Sequence, residues 1–155
     1  MELARNLRVE CVSRLQPSRP LLLERSCPVS GAVGLMRKHS AGCLLVCEGR
    51  KLVGIFTDRD LLLRVIAGGC DWETPVGDVM TPDPVCVRCH DPIRLAVRHM
   101  QKGGYRHLPV VDGSGRPVGI LSVKRIVHYL VEHFPATVYN LPPDPRAFPP
   151  EREGA

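Results

Sequence analysis

The chain has 155 residues, enough for one compact domain or for two small ones sharing an interface. Apolar residues make up 44% and charged residues 24%, ordinary for a soluble globular protein, while aromatics at 5% leave the core to Leu, Val, Ile and Ala. The net charge of +5 is spread along the chain instead of gathered in a block, so it tolerates an anionic partner without identifying one and makes a poor case for nucleic acid.

At the N-terminus, Glu2 and Glu10 stand among basic residues with no apolar stretch between them, which is not the pattern of a secretory signal. No apolar run approaches the roughly 18 residues of a transmembrane helix, so no membrane association is expected. The seven cysteines (Cys11, Cys27, Cys43, Cys47, Cys70, Cys86 and Cys89) are an odd number in a chain with no export signal. They read as reduced thiols, and the expected location is the cytoplasm.

The first clear helix carries Val29, Ala32, Val33 and Met36 at i, i+3, i+4 and i+7, one face of a 3.6-residue period. A strand over Leu44–Cys47, a polar turn with Gly49 and a second strand over Leu52–Phe56 form a hairpin, and another helix follows Thr57. The pattern then returns. Displaced by 64 residues, Pro28 lies over Pro92, Ala32-Val33 over Ala96-Val97, Met36 over Met100 and Lys38 over Lys102. One extra residue enters the second hairpin turn, and Val53-Gly54-Ile55 pairs with Val118-Gly119-Ile120. In this second copy the helix stripe is Ile93, Ala96, Val97 and Met100, with Asp91 as its expected cap, Pro92 at its first position and Gly103 past its end. Strands follow over Leu108–Val111 and Pro117–Leu121. A last helix after Ser122 has Val123, Ile126, Val127, Leu130, Val131 and Phe134 as its apolar face and Pro135 as its stop. Each copy reads β-α-β-β-α, which makes the fold class α+β. The boundaries fall at 7–70 and 71–134, with a proline-rich tail over 135–155. No regular element is expected in that tail, whose Val138, Tyr139 and Phe148 are free to wrap the module or to bind a partner.

Cys86-x-x-Cys89-His90 has the spelling of a c-type haem attachment site. The repeat places these residues over Leu22, Arg25 and Ser26, in a structural segment whose other copy has no trace of the motif. Zinc held by Cys86 and Cys89 lacks a second half-site of matching spacing. Neither haem nor metal is expected.

The `DP--AV--M` helix, the `RHLPVVD` strand, the `G-LVGI-T--DL` hairpin exit and the linker Val76–Val85, `VGDVMTPDPV`, recur in order and cover about Leu7 to Phe134. In these features the chain resembles the CBS domain family, named for cystathionine β-synthase, as a stand-alone tandem pair. The resemblance implies two repeats packed sheet to sheet about a pseudo-twofold axis with two clefts between them. It also implies a homodimer and an adenine nucleotide (AMP, ADP or ATP) or related adenosyl ligand as the probable ligand, with no cofactor required. The implied function is a regulatory sensor without catalysis that signals to an unidentified protein in trans. A ligand-independent dimerisation or interaction module is the alternative.

Within Thr57-Asp58-Arg59-Asp60 the family pattern implies that Asp60 holds the ribose hydroxyls and Thr57 reaches a phosphate. A carboxylate accepts from both hydroxyls of a diol, Arg59 adds a charge-assisted phosphate contact, and the unpaired amides of a helix start favour an anion. The same Thr-x-x-Asp spacing also suits a capping box that does no more than satisfy backbone amides. Ala41 and Gly42, before the first middle strand, and Ile55 in the hairpin exit are implied base contacts; Gly42 allows close approach of a flat ring. Arg106 is an implied phosphate ligand, and His107 either joins it or presents a polar edge at the strand start. In the second copy Ser122 keeps the hydroxyl, but Arg125 stands where the family places Asp and accepts no hydrogen bond from ribose. Lys124 and Arg125 are left to hold a phosphate or to line a solvated face. No hydrolase, zinc-protease or P-loop motif is present.

Overall fold

The computed structural model describes residues 2–140. An N-terminal helix, α1 (Glu2–Val9), and a 3-10 turn (Val12–Leu15) precede β1 (Leu22–Glu24), α2 (Val29–His39), β2 (Cys43–Glu48) and β3 (Lys51–Thr57). Because α2 carries the chain across, β1 lies parallel to β2, while β2 and β3 form an antiparallel hairpin whose turn needs Gly49 at φ 62°. β3 runs without a loop into α3 (Asp58–Asp60), which widens at once into six residues of π-helix (Leu61–Ile66). Then come α4 (Val76–Val79) and β4 (Thr81–Pro82), which pairs with the open edge of β3 and completes a sheet of order β1-β2-β3-β4.

The second copy supplies α5 (Ile93–Gly103), the hairpin β5 (His107–Val111) and β6 (Pro117–Ser122), and α6 (Val123–His133), followed by α7 (Pro135–Tyr139). Its sheet has two full strands, flanked by a parallel bridge at Val87–Val110 and an antiparallel one at Ser18–Ile120. Those bridges are β1 and β4 in shortened form. Both copies therefore carry the β-α-β-β-α order, and the molecule is α+β.

The two cores exchange segments. One gathers Val29, Ala32, Met36, Leu44, Val46, Phe56 and Val65 with Val76, Val79 and Met80, which follow the first copy in sequence. The other gathers Ile93, Ala96, Met100, Leu108, Val110, Leu121, Ile126 and Tyr129 with Val12 and Leu15, from the start of the first copy. The Val12 amide donates to the Asp91 carbonyl and the Val76 amide to the Cys27 carbonyl, so the crossing is hydrogen-bonded as well as apolar. Such reciprocity is what a twofold relation between copies generates. Leu45 and Ile55, partners across β2 and β3, are buried yet belong to neither cluster. Both faces of the hairpin are therefore buried at this pair, although only one of them faces the helices of the first core.

Several local expectations are corrected. Asp91 does not cap α5: its Oδ2 accepts from the Arg88 amide at 2.8 Å and closes a turn, and Pro92 is the N-cap. The left-handed residue ending α5 is Gly104, at φ 67°. On α6 the buried residues are Ile126 and Tyr129, whereas Val123 and Val127 face outward. Pro135 ends α6 but also starts α7, so the tail begins with a short helix where none was expected, Pro suiting a first helical turn. Phe148 lies outside the described residues.

Candidate ligand site between the two copies

At the junction of β3 and α3 the chain turns without spare residues, so the side chains at that corner are placed by the backbone. Thr57 Oγ1 accepts from the Asp60 amide at 3.3 Å, and Asp60 Oδ2 accepts from the Thr57 amide at 3.0 Å and from the Thr57 hydroxyl at 3.1 Å. This is a complete capping box. The other carboxylate oxygen, Oδ1, accepts from the Thr81 hydroxyl at 3.0 Å and lies 3.6 Å from Arg64 Nε. Arg64 in turn donates to the carbonyls of Val79 and Met80. Asp60 is the one buried charged side chain among the described residues, and its charge is matched by three hydrogen-bond donations and a cation.

Asp60 stands at the edge of a cavity of about 360 Å³. One wall is the corner from Thr57 to Asp60 with Leu63 and Arg64; another is the linker from Thr81 to Val85; the third is Gly103 to His107 of the second copy. Thr57, Arg59, Asp60, Ile55, Arg106 and His107, singled out from separate parts of the sequence, all line it. Across the mouth Arg106 Nη2 approaches Asp58 Oδ1 at 3.6 Å, an ion pair joining the copies. Burial lowers the pKa of His107 below the ordinary histidine range, with Arg106 and Lys124 acting in the same direction and Asp58 against it. His107 is therefore a neutral, half-buried side chain near pH 7.

Other expected site residues fall elsewhere. Ala41 and Gly42 are set back from the cavity: the Ala41 amide donates to the Met36 carbonyl, and the Gly42 carbonyl accepts from the Asp58 amide at 3.1 Å. Open space at Gly42 leaves room for the Asp58 carboxylate, 3.5 Å from where a Cβ would stand. The expected cluster of unpaired amides is absent at this corner, since those of Thr57, Asp58 and Asp60 are all donated within the protein and α3 is a single turn. In the related position of the second copy, Ser122 caps α6 through the Arg125 amide, and the Arg125 guanidinium donates to the Ser18 hydroxyl at 3.2 Å. Ser18 and Arg125 thus repeat the Thr81–Asp60 contact with the acceptor replaced by a cation.

Sequence reasoning missed Arg64, Thr81 and Asp83. The signal for Thr81 and Asp83 lies in the linker phrase, whose wording suggests a connection and not a wall, whereas Arg64 sits on the π-helix with no motif to mark it. Asp83 sits in the left-handed region at φ 45°, which Asp tolerates better than most residues. The cysteines stay outside the cavity. Cys43 pairs with Thr57 across the sheet, and burial first, then Asp58 and Asp60, push its thiol up to about 12. Among the described residues no three His, Cys, Asp or Glu side chains gather as a metal would require, and no helix is long and apolar enough to cross a membrane. Chemically, the cavity offers a carboxylate able to accept from hydroxyls, guanidinium groups able to hold an anion, and an apolar wall of Ile55, Leu63 and Val85.

The family model for the CBS domain matches residues 12–67 and again 76–132, and the chain belongs to the CBS domain family. It is similar to the CBS domain-containing protein CBSCBSPB3 of Arabidopsis thaliana, 36% identical over 112 residues, covering 72% of this chain and 20% of that protein. The chain thus spans about a fifth of the length of that relative. The CBS domain-containing protein YhcV of Bacillus subtilis is 36% identical over 95 residues, covering 61% of this chain and 67% of its own. Among solved structures, CBSX2 in complex with AMP superposes with a TM-score of 0.68 at 28% identity, covering 79% of this chain and 96% of that one. A CBS-domain containing protein from Agrobacterium tumefaciens gives a TM-score of 0.70 at 26% identity, covering 77% and 98%.

Proposed function

We propose that this chain is a regulatory module without catalysis of its own, which binds an adenine nucleotide or other adenosyl ligand in the cavity at Thr57, Asp60 and Arg106. The observation that carries the reading is the buried Asp60 at the edge of a cavity built from both copies, with Arg59 and Arg106 on its walls. The AMP bound by the structurally similar CBSX2 supports the choice of ligand. Asp60 accepts from ribose hydroxyls when the Thr81 hydroxyl yields Oδ1, while Oδ2 keeps the cap; Arg59 and Arg106 hold the phosphate. Because the walls come from both copies, a ligand favours the arrangement that closes them, and it regulates a partner in trans to the extent that its affinity differs between arrangements. One ligand per chain is expected, since Arg125 turns the second position from acceptor to donor.

The module works as a homodimer in the cytoplasm. Support for the dimer is the outward exposure of large apolar side chains, Leu62 and Ile66 on the π-helix and Val127 on α6. Sedimentation should give a dimer that Leu62→Asp with Val127→Asp dissociates; a wild-type monomer at micromolar concentration would sink this part.

A second reading is an interaction module that needs no ligand. It is favoured by the completed capping box, which already employs Thr57 and Asp60. Thermal shift with AMP, ADP, ATP, NAD and S-adenosylmethionine separates the two. A ligand at about 100 times its dissociation constant stabilises the native state by roughly 2.7 kcal/mol, several degrees in midpoint. The sensor reading expects that shift in wild type and none in Asp60→Ala; no shift with any of the five favours the interaction module.

A further inference from the structure

We propose that Asp58 acts as a charge filter at the mouth of the cavity, confining it to adenosyl ligands with a single phosphate and turning away di- and triphosphates. The inference rests on the adenosyl-binding reading and concerns which member of that class is accepted. Six formal charges line the cavity: Asp58, Asp60 and Asp83 against Arg59, Arg64 and Arg106. They are not equally free. Arg64 is committed to two backbone carbonyls and to Asp60. Arg106 is held by Asp58 at 3.6 Å. Among the described residues Arg59 makes no ion pair, and Lys124, which acts electrostatically on His107, does not line the cavity. His107, half-buried and neutral near pH 7, brings no charge.

An entering phosphate meets Arg59 and gains Arg106 by taking the place of the Asp58 carboxylate. That exchange is easy because Asp58 and Arg106 side chains are 57% and 69% exposed, and an exposed pair is held weakly. One phosphate is thereby matched by two guanidinium groups. Each additional phosphate brings negative charge toward the released Asp58 and toward Asp83, with no further cation on the walls to receive it. Discrimination comes from the repulsive element, as specificity often does. Asp58 also distinguishes this corner from its counterpart, where the residue after the capping hydroxyl is Val123.

The test is calorimetric titration of the full chain, wild type and Asp58→Asn, with adenosine, AMP, ADP and ATP at fixed ionic strength and without divalent cations. Asn keeps the shape of Asp58 and removes its charge. In wild type AMP should bind more tightly than adenosine and at least tenfold more tightly than ATP; in Asp58→Asn the AMP-to-ATP ratio should fall by about tenfold, chiefly through tighter ATP binding. If wild type binds ATP as well as AMP, or if the variant leaves the ratio unchanged while adenosine still binds, the filter is wrong and the adenosyl site stands. If neither adenosine nor any nucleotide binds, both ideas are wrong.

Discussion

Asp60 shows how one residue serves two purposes at the same corner. Its Oδ2 completes the cap of α3 and its Oδ1 holds Thr81 of the linker, so truncation breaks the capping box, leaves the Thr81 hydroxyl without its acceptor and removes the counter-charge of Arg64. Asp60→Ala should therefore cost about 1–2 kcal/mol in urea denaturation, the range of lost helix caps. A change below about 0.5 kcal/mol would mean the box contributes little. His107 adds a pH dependence whose sign is fixed by its environment. Its folded pKa lies below the ordinary 6.5, chiefly through burial, so the unfolded chain takes up a proton first as pH falls. The stability from this residue is complete above about pH 6.5 and is lost as pH falls through the lowered folded value. Between about pH 7.5 and 5.5 the urea midpoint of wild type should drop, and His107→Gln should drop less; equal declines would contradict this account.

At the scale of elements, the repeated Val-Gly-Ile has a packing cause. Gly54 lies on β3 where Met80 crosses the sheet, and a Cβ there would run into the Met80 side chain. Gly119 lies on β6 where the segment from Pro17 to Ser18 crosses, and its Cβ would stand 3.0 Å from Pro17 Cβ. The two glycines thus admit the two exchanged segments. Gly119→Val should cost about 1–3 kcal/mol through overpacking against a rigid proline. Gly54→Ala should cost less, because methionine adapts. Equal losses would show that the glycines serve the strand backbone instead. The repeat was legible because each element returns in order with its periodicity intact. The π-helix was not, since Leu61 to Ile66 reads as an ordinary apolar helix. Nor was the outward Val123–Val127 edge of α6, because an apolar stripe does not say whether a neighbour in the same chain covers it.

For the molecule as a whole, the exchange of segments makes each core depend on chain from the other side of the repeat boundary. Val12 and Leu15 complete the second core; Val76, Val79 and Met80 complete the first. Opening either copy exposes apolar surface in both, so the chain should unfold in a single transition. Val12→Ala and Val79→Ala should each lower the same urea midpoint, through a loss of stability of roughly 0.5–2 kcal/mol for the smaller side chain. Two resolved transitions, each moved by only one of the variants, would mean that the copies unfold separately.

The duplication, the element order within each copy, the family and the Thr57-x-x-Asp60 spacing were legible along the chain, because periodicity, turn chemistry and short motifs are local properties that recur along one chain. Which pieces meet emerges only in the folded molecule. The crossing of Val12 and Val79 into opposite cores, the linker as a cavity wall, the Arg106–Asp58 pair between copies and the Arg125–Ser18 contact all join residues far apart in the chain. The physical reason is that a motif can be read from spacing, whereas a charge balance or a closed wall exists only once the second copy is brought against the first.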